Sequence, residues 1–380
     1  MHYLILVLFL PTLLFAQWNE ASLKLLESKQ NYIKYTKPAF ITYWGGVKRY
    51  LKGAGLEGDE FQYQDPSLTS EVDLYLYKKA SSKKLPLVVF FPGIHGNHEG
   101  RISPVVLNWF ERKDFHVGSV PNFLNVNYIK AKPKYDKENS GKLDSQVALR
   151  AVDAMVKEIG KENISHITFV GESLGAFLSA SMVRFINDHP YLKANVKNVI
   201  FMWPPLNIGK TLTNFDRNIN NTKDVYAQCN FAQDLFRFFK YLVWQETPSD
   251  FNAEDEVCLD AALYHAAFLK SIRKAFKAYA DTFEDDKTPE PNNFSEFFQA
   301  YNPNFIKVAR TQGQALSLKN FIAGWKSYDI SVKVVSSTDD FLNNLADWKE
   351  IEDKFLFNWG SHCAPLALDE WGEILVKESL

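Results

Sequence analysis

Gly171-Glu172-Ser173-Leu174-Gly175 carries the serine in this chain best placed to act as a nucleophile. A serine hydroxyl is weak at its free pKa. It needs a base within hydrogen-bond reach, and the base needs a partner that fixes its tautomer. The pentapeptide follows a strand-like run, Ile167-Thr168-Phe169-Val170, and precedes a helix-like run from Ala176 to Val183. A G-x-S-x-G between strand and helix is the setting of a nucleophile elbow. Its turn is tight and its serine strained, and only glycine-sized neighbours let the strand and helix close around it. The hydroxyl is then held above a sheet, where a base can reach it.

The remaining parts lie far downstream. Ile330 to Val335 alternates as a strand and runs into Ser336-Ser337-Thr338-Asp339-Asp340. Phe355 to Asn358 is a second short strand, followed by Trp359-Gly360-Ser361-His362. A carboxylate past one late strand and a histidine past the next could serve as the orienting acid and the general base.

Other polar groups read as structural. His95-Gly96-Asn97-His98 has two metal-capable side chains, but their spacing lacks the i, i+4 placement of a zinc helix, so a loop or entrance role is expected. His265 lies on an apolar helical stripe and is expected to be a satisfied buried histidine. His116, His166 and His189 sit at element ends. Glu172 is expected to point off the elbow, into the sheet or solvent, and Cys363 to be a small packing residue. Asp285, Asp286 and Glu290 read as a solvated loop.

The elements that must position these residues alternate. Val72 to Tyr77 has strand periodicity, and Leu85 to Phe91 is an unbroken apolar run of the kind buried on both faces of a parallel sheet. Pro104 to Phe110 reads as a helix and Val117 to Val120 as a strand. Leu143 to Ile159 is an amphipathic helix stopped by Gly160, and Val196 to Met202 is another strand. This alternation predicts an α/β fold with a mostly parallel central sheet and helices on both faces. It stops near Leu206. Thr222 to Phe283 and Phe294 to Trp325 are helical in period, with a Pro-containing loop between. The expected organisation is a sheet core over 71–209 and 327–380, interrupted by a helical cap over 210–326. A segment over 17–70, with helical stretches and a Gly-rich break, precedes it without an assigned role.

In these residues and their order (Ser173, then Asp339 or Asp340, then His362) the chain resembles the α/β-hydrolase family. The likeness covers roughly Glu71 to Leu206 and Tyr328 to Leu380. It rests on the Gly171–Gly175 elbow, the Pro92–Gly96 loop, the acid after the late strand and Gly360-Ser361-His362. Within the family the chain looks most like lid-bearing serine esterases and lipases, departing from many in having Pro92-Gly93 in place of His-Gly. The resemblance implies a catalytic set of Ser173, Asp340 and His362. Asp340 is preferred over Asp339 as the last carboxylate before the turn, and Asp339 stays the alternative. It also implies an oxyanion hole from the backbone N–H groups of Ile94 and Leu174. Such donors leave side-chain identity free, so Pro92 does not remove the site. Acyl transfer through a serine needs neither metal nor cofactor, and neither is expected.

The bulk of the chain narrows the function classes. Its 380 residues are 46% hydrophobic, enough for a sizeable core, and a formal net charge of −2 gives no basic excess for nucleic acid. Aromatic residues make up 15%, including 30 phenylalanines, many of which lie between Phe215 and Phe305. Most of these suit the cap's own core, including the Phe236–Trp244 stripe. The remainder could wall an acyl pocket. The first sixteen residues read as a signal peptide: an apolar run from Tyr3 to Leu10, a break at Pro11 and Ala16 before the cut. The run is too short for an integral membrane span, so export to the periplasm or medium is expected. Cys229, Cys258 and Cys363 leave at least one unpaired thiol. If Cys229 and Cys258 open two antiparallel helices they stand roughly 20 Å apart, too far for a disulfide, unless the Gln245–Asp255 connector returns the chain. The expected activity is hydrolysis of a small ester with a hydrophobic acyl part. The alternatives are a cap-gated peptidase or thioesterase, or a non-catalytic binding protein on the same scaffold. Nothing in the sequence sets the oligomeric state.

Overall fold

Eight strands form one sheet in the order β1-β2-β4-β3-β5-β6-β7-β8. The computed structural model describes residues 55–100, 102–132, 142–229, 257–258, 261–283, 288–311, 316–358, 362–367 and 369–380. The expected signal peptide, most of the 17–70 segment, the Phe236–Trp244 stripe and the Gln245–Asp255 connector lie outside them. The strands are β1 (Asp59–Tyr63), β2 (Val72–Tyr77), β3 (Leu85–Phe91), β4 (His116–Ser119), β5 (Ile164–Glu172), β6 (Val196–Met202), β7 (Ser331–Ser337) and β8 (Lys354–Phe357). β2 is antiparallel to both β1 and β4, and every pair from β4 to β8 is parallel. This is the α/β-hydrolase fold with an inserted helical region. The edge strand β1 falls in the stretch read from sequence as helical with a Gly-rich break. Its pairing with β2, which only tertiary contact provides, makes it a strand.

The unbroken apolar run of β3 is explained by cover on both faces. Val88 and Phe90 join a core with Val106, Leu107 and Phe110 of α1 (Ser103–Glu111). Leu87, Val89 and Phe91 point the other way, toward Val147, Ala151 and Met155. The latter residues form the inner face of the helix Lys142–Ile159. That helix follows α2 (Val126–Ala131) and is α3 here. Gly160, at φ 90°, ends it, and its N–H bonds Val156 O. The chain moves from β3 out to β4 and back to β5 on the other side of β3. That reversal opens a crevice beyond the carboxyl ends of β3 and β5.

After β5 come α4 (Leu174–Ser181) and α5 (Pro190–Asn195), then β6. The insertion between β6 and β7 begins earlier than its sequence period suggested. α6 (Ile208–Gln228) starts where the Asn207 side chain accepts the Lys210 N–H. A π-helical turn, Leu263–Leu269, then leads into α7 (Lys270–Phe283). α8 (Phe294–Tyr301), α9 (Pro303–Thr311) and α10 (Leu318–Lys326) follow. Asn207 and Ser317 form an antiparallel bridge, so the chain enters and leaves the insertion at one place. α10 packs back on the sheet: Trp325 is buried, donates Nε1–H to Ala180 O and meets Phe169 edge to face. α11 (Asp369–Glu378) closes the chain.

Cys229 and Cys258 are joined, with Cα atoms 5.7 Å apart. The sequence argument placed Cys229 at the start of a helix. It stands instead at the C-terminal end of α6. With Cys229 at that end rather than at a helix start, the two cysteines meet and the expected 20 Å separation disappears.

Candidate active site

Ser173 occupies a backbone conformation that L-residues rarely adopt, φ 53° and ψ −122°. Its N–H bonds Met202 O at 2.8 Å, anchoring the turn to β6. The two flanking glycines have separate steric reasons. A Cβ on Gly171 would stand 2.5 Å from Ala176 Cα, and one on Gly175 would stand 2.0 Å from Phe91 O. With those positions bare, α4 lies directly against the ends of β5 and β3. Leu174 is the first residue of α4, so its N–H has no partner within the helix.

The structure brings the three distant side chains together. His362 Nε2 lies 2.9 Å from Ser173 Oγ. His362 Nδ1 lies 3.1 Å from Asp340 Oδ1. An ionised carboxylate only accepts, so Nδ1 carries the proton and Nε2 is free to accept from the serine hydroxyl. Asp340 is buried and further held: Ser336 donates its hydroxyl to Oδ2 at 2.9 Å, and the Leu342 N–H bonds Oδ1 at 3.0 Å. Asp339 is half-buried, whereas Asp340 is the aspartate bonded to His362 Nδ1. Ser336, near the end of β7, has no role assigned to it by the sequence alone. Its placement in the strand just before the acid was the available signal.

The two residues expected to supply the oxyanion donors border the same space. Ile94 and Leu174 both line a cavity that contains Ser173 and His362. The loop bearing Ile94 is fixed by Asn122, whose Nδ2 donates to Pro92 O at 3.1 Å and whose N–H reaches Gly96 O at 2.9 Å. Gly93 N–H is not available to an oxyanion, because it bonds Glu172 Oε2 at 2.7 Å.

That bond corrects the reading of Glu172. Its side chain does not turn away from the site but is buried beside it, and its other oxygen accepts from Cys363 Sγ at 3.0 Å. Cys363 is therefore more than a space-filler. The sequence held only a faint signal, an acidic residue inside an otherwise apolar elbow.

The histidine pair at 95 and 98 is divided between separate tasks. His98 Nε2 meets Glu60 Oε1 at 2.6 Å and its ring stacks on Tyr75. His95 donates from Nδ1 to Leu124 O at 2.8 Å, and burial pulls its pKa down to about 4. His265 is satisfied by Ile219 O at 3.0 Å and the Thr222 hydroxyl at 3.1 Å, and burial lowers its pKa as well.

The cavity above Ser173 has an empty volume of about 470 Å³, including its open side. Its apolar wall comes from Ile208, Leu212 and Phe215 of α6, Phe268 of the π-helical turn, and Phe294 and Phe298 of α8. Phe215 meets Phe294 at 4.7 Å and Phe268 at 4.9 Å between ring centroids. Leu124, Leu174, Pro205 and Leu342 close it from the sheet side. Among the described residues, no helix is long and apolar enough to cross a membrane.

No protein-family model matches the chain, and no curated protein matches it in sequence. Solved structures do resemble it in overall path. An esterase of Pyrococcus furiosus is 11% identical, with 85% of this chain and 90% of that one covered at a TM-score of 0.46. Est1E from Butyrivibrio proteoclasticus is 13% identical over 84% and 98%, at a TM-score of 0.43. A proline iminopeptidase of Mycobacterium smegmatis is 13% identical over 84% and 97%, at 0.44. TM-scores below 0.5 leave the fold assignment to this chain's own strand order and register.

Proposed function

We propose that the chain is a serine hydrolase that cleaves carboxylic esters with an apolar acyl portion through an acyl-enzyme. The observation that carries this reading is the continuous relay from Asp340 through His362 to Ser173, at 3.1 Å and 2.9 Å. In it, Nε2 of His362 takes the serine proton as Oγ attacks the carbonyl carbon. The oxygen that becomes negative is received by the N–H groups of Ile94 and Leu174, which act without reorganising. His362 then returns the proton to the departing alcohol. Water, activated by the same nitrogen, releases the acid and restores Ser173. The apolar wall from the insertion supports a hydrophobic acyl group, because that surface leaves water when the chain binds.

The Cys229–Cys258 disulfide supports an oxidising compartment, and with it export and removal of residues 1–16. N-terminal sequencing of exported protein is expected to begin at Gln17.

The direct test is labelling with a fluorophosphonate probe together with turnover of nitrophenyl esters. Ser173 is expected to be the labelled residue, and Ser173→Ala to abolish both label and turnover. Folded protein that neither labels nor turns over any ester would refute the assignment.

A further inference from the structure

Glu172 directly precedes the proposed nucleophile and is 4% exposed. A carboxylate removed from water is costly unless its oxygens are bonded. Both are. Oε2 accepts the Gly93 N–H at 2.7 Å, and Oε1 accepts the Cys363 S–H at 3.0 Å. Gly93 adjoins Ile94, the proposed oxyanion donor, and Cys363 adjoins His362. A single side chain at the end of β5 therefore ties down the two loops that must meet over Ser173.

The backbone is shaped around this contact. Cys363 holds φ at 66°, a left-handed value uncommon for a residue with a side chain. Gly93 comes so near that a Cβ there would stand 2.5 Å from Glu172 Oε2. The carboxylate, the thiol and a ring nitrogen of His362 all lie within 4.8 Å of one another.

We propose that Glu172 is a positioning residue for the hydrolytic site, holding the Ile94 loop and the His362 loop at the separation that acyl transfer needs. The inference rests on the serine-hydrolase reading. Its physical basis is that small displacements matter: misplacing reacting groups by about 1 Å costs on the order of 100-fold in rate. Neither of those two carboxylate bonds of Glu172 goes to Ser173 or His362. It acts through Gly93 and Cys363.

Three variants test it by steady-state kinetics, with thermal unfolding as the folding control. Cys363→Ser keeps a donor toward Oε1 and is expected to stay within about twofold of the parent in kcat. Cys363→Ala removes that donor and is expected to lower kcat on the order of tenfold, with KM nearly unchanged. Glu172→Gln leaves one oxygen to serve two donors and removes the charge, and is expected to lower kcat on the order of 10- to 100-fold. The Glu172→Gln/Cys363→Ala double variant is expected to be no slower than Glu172→Gln, since one linkage is lost in both. If Glu172→Gln fails to fold, the Cys363→Ser and Cys363→Ala pair still decides. Folded Cys363→Ala with parental kcat, or Cys363→Ser as impaired as Cys363→Ala, would overturn the proposal. Labelling of the parent at Ser173 separates this outcome from failure of the hydrolase reading, which would remove the inference with it.

Discussion

Asp340 offers Oδ1 to Nδ1 of His362 at 3.1 Å, while Ser336 and the Leu342 N–H occupy the rest of its carboxylate. The acid is thus aimed at the imidazole by bonds from the end of β7 and from its own loop. Asp340→Asn is expected to lower kcat by on the order of 10³- to 10⁴-fold through loss of the working tautomer, with KM little changed. Asp339→Asn is expected to stay within a few-fold. Comparing the two kcat values on one ester checks the assignment.

Gly175→Ala tests the elbow. The added methyl group meets Phe91 O at 2.0 Å and Pro92 O at 2.4 Å, backbone atoms that cannot swing aside. A loss of about 3 kcal/mol or more in unfolding free energy is expected, as for severe overpacking. Denaturant titration at constant m-value measures it.

Leu212→Trp narrows the cavity from the α6 side. The ratio of kcat/KM for an octanoyl over an acetyl ester is expected to fall on the order of tenfold, because only the longer chain reaches that wall. An unchanged ratio would place acyl binding elsewhere.

His95 makes stability depend on pH. Burial holds its folded pKa at about 4, below the 6.5 of an exposed histidine. Between these values the unfolded chain binds a proton that the folded one refuses, so stability falls as pH drops from 6.5 to about 4 and then levels. The full contribution is about 3 kcal/mol. His95→Asn keeps a donor for Leu124 O and suits the φ of 59°. It is expected to flatten the dependence of the denaturation midpoint in that window.

The disulfide spans 29 residues of sequence. Replacing both Cys229 and Cys258 by serine is expected to destabilise the protein by about 3–4 kcal/mol, chiefly by freeing the unfolded chain. Thermal unfolding with and without reductant should show the same loss in the parent and none in the variant.

Much of the architecture was legible locally. The apolar run of β3, the period of α3 and its stop at Gly160 each reflect a constraint acting over a few residues, so pattern alone reveals them. Ser173 was legible for the same reason, since its strain needs glycine at two fixed offsets. β1 was not, because a short exposed strand is defined by the partner it pairs with.

From the linear chain come the strand and helix alternation, the elbow, and a short set of acids and bases in a telling order. Only the folded molecule decided which of two adjacent aspartates faces His362, which phenylalanines line the cavity, and that Cys229 meets Cys258. It alone turned Glu172 inward to Gly93 and Cys363. Periodicity and turn chemistry are written in neighbouring residues. Hydrogen-bond geometry between side chains up to 191 positions apart depends on where whole elements come to rest.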